Sequence, residues 1–435
     1  MSLEIIGLIG FGILFLLMGL GMPIGFAMAG VGAAGFMYLG GLSGALTMVG
    51  TSPYSTVGAY EMAVLPLYIL MGNFAFASGL TANVYACAHT LFSRQRGGLA
   101  MATIGACAGF AACTGSSTAG VSVFTTTALP EMVRYKYDPK LATGCIAAGS
   151  TLGILIPPSL PFIIYGIIAE VSVGKLFLAG VFPGLLLTSL FLIAIFVLVK
   201  LRPSMGPAGP KTTWREKITA LRKTWSAVML SIIVLSGIWG GIFTPLEAGG
   251  VGAFVAFLII VGRKRFNRQT ITEVLTSSVR VSAMIFTIMI GAIMFNYFLA
   301  LSNLPKSIAE FVATLPVSPT VVLIAVMVFY LVGGCLMDAL GLTLLTWPIF
   351  VPIMTSLGVD LILFGVLTVV MIEMACITPP VGMNVFVLSG MCNIPMYTIF
   401  RGIFPFLIAM GICLALLIAF PKISLFLPST MIRIR

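Results

Sequence analysis

Charge is what this chain has least of. Asp, Glu, Lys and Arg make up 8% of its 435 residues, and it holds one histidine, His89. Soluble domains run near a quarter charged. With 60% hydrophobic residues and a mean hydropathy of +1.16, a soluble globular protein is excluded. The eight cysteines (Cys87, Cys107, Cys113, Cys145, Cys335, Cys376, Cys392 and Cys413) include no C-x-x-C pair. With a single histidine they cannot form the clusters a zinc site needs, so no transition metal is expected, and they read as small apolar packing residues. The N-terminus has neither the basic region nor the small-residue cleavage site of a secretory signal, so the first apolar run is expected to be retained. The net charge of +11 lies in short loops between apolar runs, the pattern of membrane-flanking anchors and not of a nucleic-acid partner.

What the chain does have is repetition. Pro23 pairs with Pro245, Pro130 with Pro352, Met132 with Met354, Asp138 with Asp360, and Pro157-Pro158 with Pro379-Pro380, all 222 residues apart. Gly180, Phe182 and Pro183 pair with Gly402, Phe404 and Pro405 at the same offset. Matches between apolar residues are common, but a proline inside a membrane-length segment removes a helix hydrogen bond, so recurring prolines carry weight. Runs long enough to span a bilayer fall at about 4–20, 22–40, 57–79, 140–169 and 175–199, then at about 226–243, 246–262, 275–299, 361–391 and 396–420. Shorter apolar pairs, about 98–114 with 117–133 and about 320–335 with 340–357, read as hairpins that enter and leave on one side.

Five crossings per copy is odd, so the second copy is expected to be inverted. Charge agrees. Residues 41–60 hold no Lys or Arg, whereas their equivalents hold Arg263, Lys264, Arg265, Arg268 and Arg280; Arg134, Lys136 and Lys140 lie in 130–140, whereas 352–362 hold none. Cytoplasmic loops carry the excess of Lys and Arg. The expected fold is therefore an all-α polytopic membrane protein of two inverted-topology repeats, about five spans each, with a re-entrant helical hairpin and a Pro-Pro-broken helix in each. Its divisions are 1–200 (hairpin 98–135, broken helix 140–169), a basic cytoplasmic linker 201–224, and 225–435 (hairpin 318–358, broken helix 361–391). Both termini then fall outside. Stretches 80–96 and 301–316 are either interfacial amphipathic helices bracing the hairpins or ordinary loop.

Four segments can carry chemistry. The first hairpin turns through Ala112-Cys113-Thr114-Gly115-Ser116-Ser117-Thr118-Ala119-Gly120. Polar backbone survives at membrane depth only when buried in protein or facing a wet cavity. The tip's carbonyls and hydroxyls suit a cation such as sodium, and the next half-helix can face an anion; the bland reading is that small residues allow close packing. The second hairpin turns near Gly333-Gly334 and carries Asp338, an intramembrane carboxylate that either couples to a cation or caps the next half-helix. The broken spans read Gly149 to Ser159 and Glu373 to Asn384, each around a Pro-Pro pair. Such pairs leave upstream carbonyls without donors, natural sodium ligands near mid-membrane. Ser159 and Asn384 are candidate polar contacts beside the breaks. Glu247 after Thr244-Pro245 reads as a cap, Glu373 as paired or water-facing, and Arg401 as a snorkelling residue.

The runs GSSTAGVSVFTTTALPEM, GSTLGILIPPSLPFIIYG, GVFPGLL, FTPLEAGGVGA and ITPPVGMNVFVLSG resemble the large, DctM-like membrane subunit of tripartite ATP-independent periplasmic (TRAP) transporters, over nearly the whole chain. The resemblance implies a sodium-driven importer of organic acids (carboxylates) in the bacterial inner membrane, working as an elevator with a scaffold and a transport domain. Its implied partners are a soluble periplasmic substrate-binding protein and a small, Q-type membrane subunit, here expected as a separate chain. Carried over by motif, sodium would be held by Thr114, Ser117, Gly153, Ile156 and Pro158 in the first half, and by Gly334, Ala375, Thr378 and Val381 in the second. Ala375 stands where a glycine is commoner. Ser116, Thr118, Ser159, Asp338 and Asn384 are the candidate substrate contacts. The competing readings are a stand-alone sodium- or proton-coupled organic-anion carrier and, more remotely, an intramembrane enzyme, for which Asp338 lacks an evident aspartate partner.

Overall fold

The structure, a computed structural model, describes residues 2–209, 212–335, 337 and 339–432. Among these residues every regular element is helical. The first half runs α1 (Leu3–Gly19), α2 (Ile24–Val57), α3 (Val64–Ala77), α4 (Leu80–Phe92), α5 (Gly98–Thr114), α6 (Ser117–Thr127), α7 (Leu129–Arg134), α8 (Pro139–Ser150), α9 (Leu152–Leu155), α10 (Leu160–Ile168) and α11 (Val173–Leu201). The second runs α12 (Trp214–Trp239), α13 (Pro245–Gly262), α14 (Arg268–Leu301), α15 (Leu304–Thr314), α16 (Pro319–Gly334), α17 (Ala339–Ser356), α18 (Leu361–Ala375), α19 (Met383–Cys392), α20 (Met396–Ala419) and α21 (Lys422–Ser429).

Helix starts follow the sequence repeat. α6 and α17 begin at Ser117 and Ala339, α8 and α18 at Pro139 and Leu361, and α10 and α19 at Leu160 and Met383. Local chemistry explains why. Asp138 caps α8 by accepting from the Lys140 N–H at 2.8 Å, and Asp360 caps α18 by accepting from Ile362 and Leu363 at 2.8 and 3.0 Å. Glu247 is a cap, as expected: it forms a reciprocal box with Thr244, whose N–H donates to the carboxylate at 2.8 Å. Removing such a cap costs about 0.5–2 kcal/mol.

Several boundaries differ from the sequence expectation. The stretch expected as one span at 22–40 continues as α2 to Val57, bent at Gly41, whose φ of 82° lies in the left-handed region. The second copy instead breaks there into α13 and α14. The segment 201–224 is not all linker, because Thr213 and Glu216 form a capping box that starts α12 at Trp214. Stretches 80–96 and 301–316 contain the helices α4 and α15, so the loop reading fails, and much of α4 is buried against its neighbours. Among the described residues eight helices are long and apolar enough to cross a membrane, or nine if the pair bent by 42° before Leu160 counts as one span, against the ten expected. α1, with 17 residues, and α18, with 15, fall short of a spanning length.

The helices pack in two sets. In one, α2 lies along α14, α3 along α13, and α12 against α13. In the other, α8 lies along α20, α16 along α18, and α11 along α20 and α21. α4 bridges α12 to α5, and α15 bridges α1 to α17. The second set interlocks the two halves of the sequence. Tyr165 of α10 donates to the Leu361 carbonyl at 2.6 Å and meets Trp347 edge-on at 5.1 Å. Where α8 crosses α20, Gly144 and Gly402 bring backbone onto backbone: a Cβ on either would collide with the other helix's main chain. Glycine allows this approach, and membrane helices associate largely through such packing.

Gly402→Val is accordingly expected to lower stability by about 1–3 kcal/mol through overpacking, read as a lower thermal-denaturation midpoint in detergent. Gly411→Ala, on the same helix with nothing within 4 Å of the added carbon, should leave the midpoint unchanged.

Candidate functional site

The two expected breaks are present. α9 ends at Leu155 and α10 begins at Leu160, with Pro157-Pro158 between them; α18 ends at Ala375 and α19 begins at Met383, with Pro379-Pro380 between them. Both Pro-Pro bonds are cis. The first hairpin reverses at Gly115, with α5 ending at Thr114 and α6 starting at Ser117. Ser116 caps α6, its hydroxyl accepting from the Ala119 N–H at 3.3 Å and lying 3.3 Å from the Thr118 hydroxyl.

The first tip rests on the first break. A Cβ at Gly153 would come within 2.8 Å of the Ser116 carbonyl oxygen and 3.2 Å of the Ser117 nitrogen, and one at Gly115 within 3.0 Å of the Pro158 carbonyl oxygen. Thr114, Ser116, Ser117, Gly153, Pro158 and Ser159 are thus brought together. The Ile156 side chain points away, onto Gly184 of α11. A second group forms at the other break. Gly334 packs on Ala375. Thr378 donates to the Met374 carbonyl at 2.6 Å, and the Asn384 N–H donates to the Cys376 carbonyl at 3.0 Å. Val381 is exposed at the outer edge of this turn. Asp338 lies outside the described residues.

A cavity of about 610 Å³ opens between the two helix sets. Thr114, Ser116, Ser117 and Thr118 line it; Gly153, Ile156, Pro158, Ser159, Gly334, Ala375, Thr378, Val381 and Asn384 do not, and most of them form the layer behind the wall. Its far wall is α3 and α14, including Asn73, Phe76, Ser277 and Met284. Among the described residues no charged side chain lines it. Four helices instead present their first turns: α6 through Ser117 to Ala119, α10 through Leu160 and Pro161, α17 through Ala339 and Leu340, and α19 through Met383. Each N-terminus carries about half a positive charge, which favours an anion, while the ends of α5 at Thr114 and of α18 at Cys376 bring two half-negative C-termini to the same wall.

Sequence reasoning missed Asn73 and Ser277 of the wall. Asn73 donates to Ser278 at 2.8 Å; a lone amide in the apolar run 64–77 was the available signal. Glu373, expected to be paired or water-facing, is 1% exposed and does not face water. The packing of α18 turns it inward, beside the Ser117 hydroxyl of the first tip. Ser159 and Asn384 are likewise buried with unbonded side chains. Unpaired buried polar groups cost about 1–3 kcal/mol each; Ser159 and Asn384 lie at the two breaks, and others, including Ser52, Thr56, Ser93 and Ser424, lie elsewhere in the fold.

This architecture, membrane-length helices interrupted around a largely apolar cavity with hydroxyls on one wall, is that of a polytopic membrane transport protein. The chain belongs to the family described as the DctM component of tripartite ATP-independent periplasmic transporters, whose model matches residues 11–423. It is 36% identical over 400 residues to the C4-dicarboxylate TRAP transporter large permease protein DctM of Pseudomonas aeruginosa, covering 89% of this chain and 93% of that one. It is 31% identical over 409 residues to the sialic acid TRAP transporter large permease protein SiaM of Vibrio cholerae, covering 94% and 95%. The fold is similar to the solved Alcanivorax borkumensis YdaH transporter, with a TM-score of 0.65 at 15% identity over 87% of this chain and 88% of that one.

If the tip depends on its seat, Gly153→Val will raise hydrogen–deuterium exchange across residues 114–123 by about tenfold, equivalent to about 1.4 kcal/mol of local stability. Unchanged exchange would mean that the break does not support the tip.

Proposed function

We propose that this chain is the membrane carrier subunit of an importer for an organic acid, driven by sodium. The observation that carries the reading is the convergence of four helix N-termini on a cavity without a basic side chain. Such a site binds a carboxylate through backbone dipoles and hydroxyls, and bound sodium supplies the remaining positive potential. Thr114, Ser117, Gly153, Ile156 and Pro158 would hold one ion. Gly334, Ala375, Thr378 and Val381 would hold the other, with the Thr378 hydroxyl, already donating to Met374, keeping its lone pairs for the cation. Ser116 and Thr118 face the cavity as first contacts for the substrate, while Ser159 and Asn384 steady it from behind.

The packing supports an elevator. The hairpins and broken helices form one set, α1–α3 with α12–α14 the other, and α4 and α15 link them. In this reading the first set moves past the second, and sodium shifts the balance toward the substrate-competent arrangement by differential binding. The relatives named for C4-dicarboxylates and sialic acid make carboxylates the substrate class to test first. A periplasmic binding protein would deliver the substrate, and a separate small membrane subunit would complete the fixed set in the inner membrane.

Proteoliposomes holding the chain, the small subunit and the binding protein should take up the cognate acid only with inward sodium. Full uptake with choline in place of sodium would refute the coupling, and uptake by the lone chain would favour a stand-alone carrier. Thr378→Val is expected to raise the sodium concentration for half-maximal uptake about tenfold, with expression unchanged. An unaltered sodium dependence would remove Thr378 from the site.

A further inference from the structure

A second cavity lies where α12 meets the end of α13, remote from the breaks. It is open, about 630 Å³ in volume, and its wall carries four cations, Arg222, Lys223, Arg263 and Arg265, with no carboxylate. Among the described residues the ion pairs are Arg134 with Glu131 and Lys306 with Glu310, so none of the four has an acidic partner there. Arg263 is half-buried and fixed. It donates to the Ser78 and Lys223 carbonyls, each at 3.3 Å, and to the Ser226 hydroxyl at 2.7 Å; with the Asn83 amide turned, it also reaches that side-chain oxygen at 2.6 Å. It forms the floor of the cavity. Arg222, Lys223 and Arg265 are exposed around the rim.

The apolar side of the same cavity is equally specific. Trp225, 63% exposed, stands beside Met229 and Ile259. The bond between Ser226 and Arg263 sets this turn of α12 level with the end of α13. α13 has 18 residues, about 27 Å of helix against a hydrocarbon core of about 30 Å, so its end lies at the membrane surface. The three rim cations are then at headgroup depth, Trp225 is at the depth where interfacial tryptophans collect, and Met229 and Ile259 point along the acyl region. A soluble anion would meet the cations but would have no use for the apolar slot below them.

We propose that this cavity is a binding site for one anionic phospholipid. The phosphate sits among Arg222, Lys223 and Arg265, and an acyl chain lies along Trp225 and Met229. Clusters of basic residues at a helix end attract anionic lipid; the fixed Arg263 and the apolar slot turn that attraction into a site. The lipid would bridge α12, α13 and, through the Ser78 carbonyl held by Arg263, the end of α3. It would therefore stiffen one of the two helix sets. This inference is independent of what the chain carries.

Native mass spectrometry of the purified chain, supplied with phosphatidylglycerol or phosphatidylcholine, tests it. The chain is expected to retain one phosphatidylglycerol and no phosphatidylcholine. Arg222→Ala/Lys223→Ala/Arg265→Ala should lose at least about tenfold of that retention. Arg94→Ala/Arg96→Ala/Lys136→Ala, which removes the same three charges from other exposed positions, should keep it. Equal loss in both triple variants would replace the site with a diffuse field, and no loss in either would overturn the proposal. Displacement of the lipid by millimolar glycerol phosphate would also overturn it, because the cavity would then be a site for soluble phosphate. Arg222→Glu alone should reproduce the loss with an unchanged gel-filtration profile, which separates lost binding from lost folding.

Discussion

Inside a bilayer a backbone N–H or C=O without a partner has no water to turn to. This chain breaks two of its helices there, at Pro157-Pro158 and Pro379-Pro380, and the rest of the site is arranged around that fact. Each proline withholds a donor, so carbonyls about one turn upstream lose their helical partners. The protein answers in three ways. It seats the first tip directly on the first break, with Ser116 and Ser117 against Gly153. It closes the second break with a backbone bond from Asn384 to Cys376. It also places three buried polar side chains, Ser159, Glu373 and Asn384, at those turns.

The two halves match in sequence and in helix starts, yet not in exposure. Around the first break, Pro157, Pro158 and Ser159 are buried; around the second, Pro379, Pro380 and Val381 are exposed. The first tip gives the cavity wall four hydroxyls, whereas the second tip and second break give it Ala339, Leu340, Cys376 and Met383. Two inverted copies in identical environments would open equally to both sides. A carrier working by alternating access must hold its repeats in unequal environments at any instant. The asymmetry fits one such state of the proposed carrier, and the proposed sliding of one helix set along the other would exchange the two environments.

Much of the fold was legible because it is written locally. Asp138-Pro139 and Asp360 announce helix starts by capping, Thr244-Pro245-Leu246-Glu247 announces one by a capping box, and the double prolines announce the breaks. The bend in α2 was not legible. Gly41 is one glycine among 48, and only its left-handed φ distinguishes it. The site divides the same way. The tip residues Thr114 to Thr118 were found through their composition, whereas Asn73 and Ser277 enter the cavity wall only because α3 and α14 pack across from the tip. Glu373 shows the limit most clearly. The sequence places a carboxyl before a break, but whether it meets water, a cation or Ser117 depends on which face of α18 turns inward.

The missing basic residue in the cavity has a physical rationale. An arginine there would bind a carboxylate strongly, but after release it would be left as a bare charge in a low-dielectric setting, where an unpaired ion costs several kcal/mol. The empty carrier would then be trapped or would have to bind another anion to return. Helix N-termini avoid this. Each contributes about half a unit of partial positive charge, yet belongs to a neutral helix whose compensating end is fixed in the protein. Their field persists without creating an ion that must be solvated. In the proposed sodium-coupled cycle, the cation would add a full charge when the substrate is present and leave with it, so a site of hydroxyls and helix ends would bind well when loaded and return easily when empty.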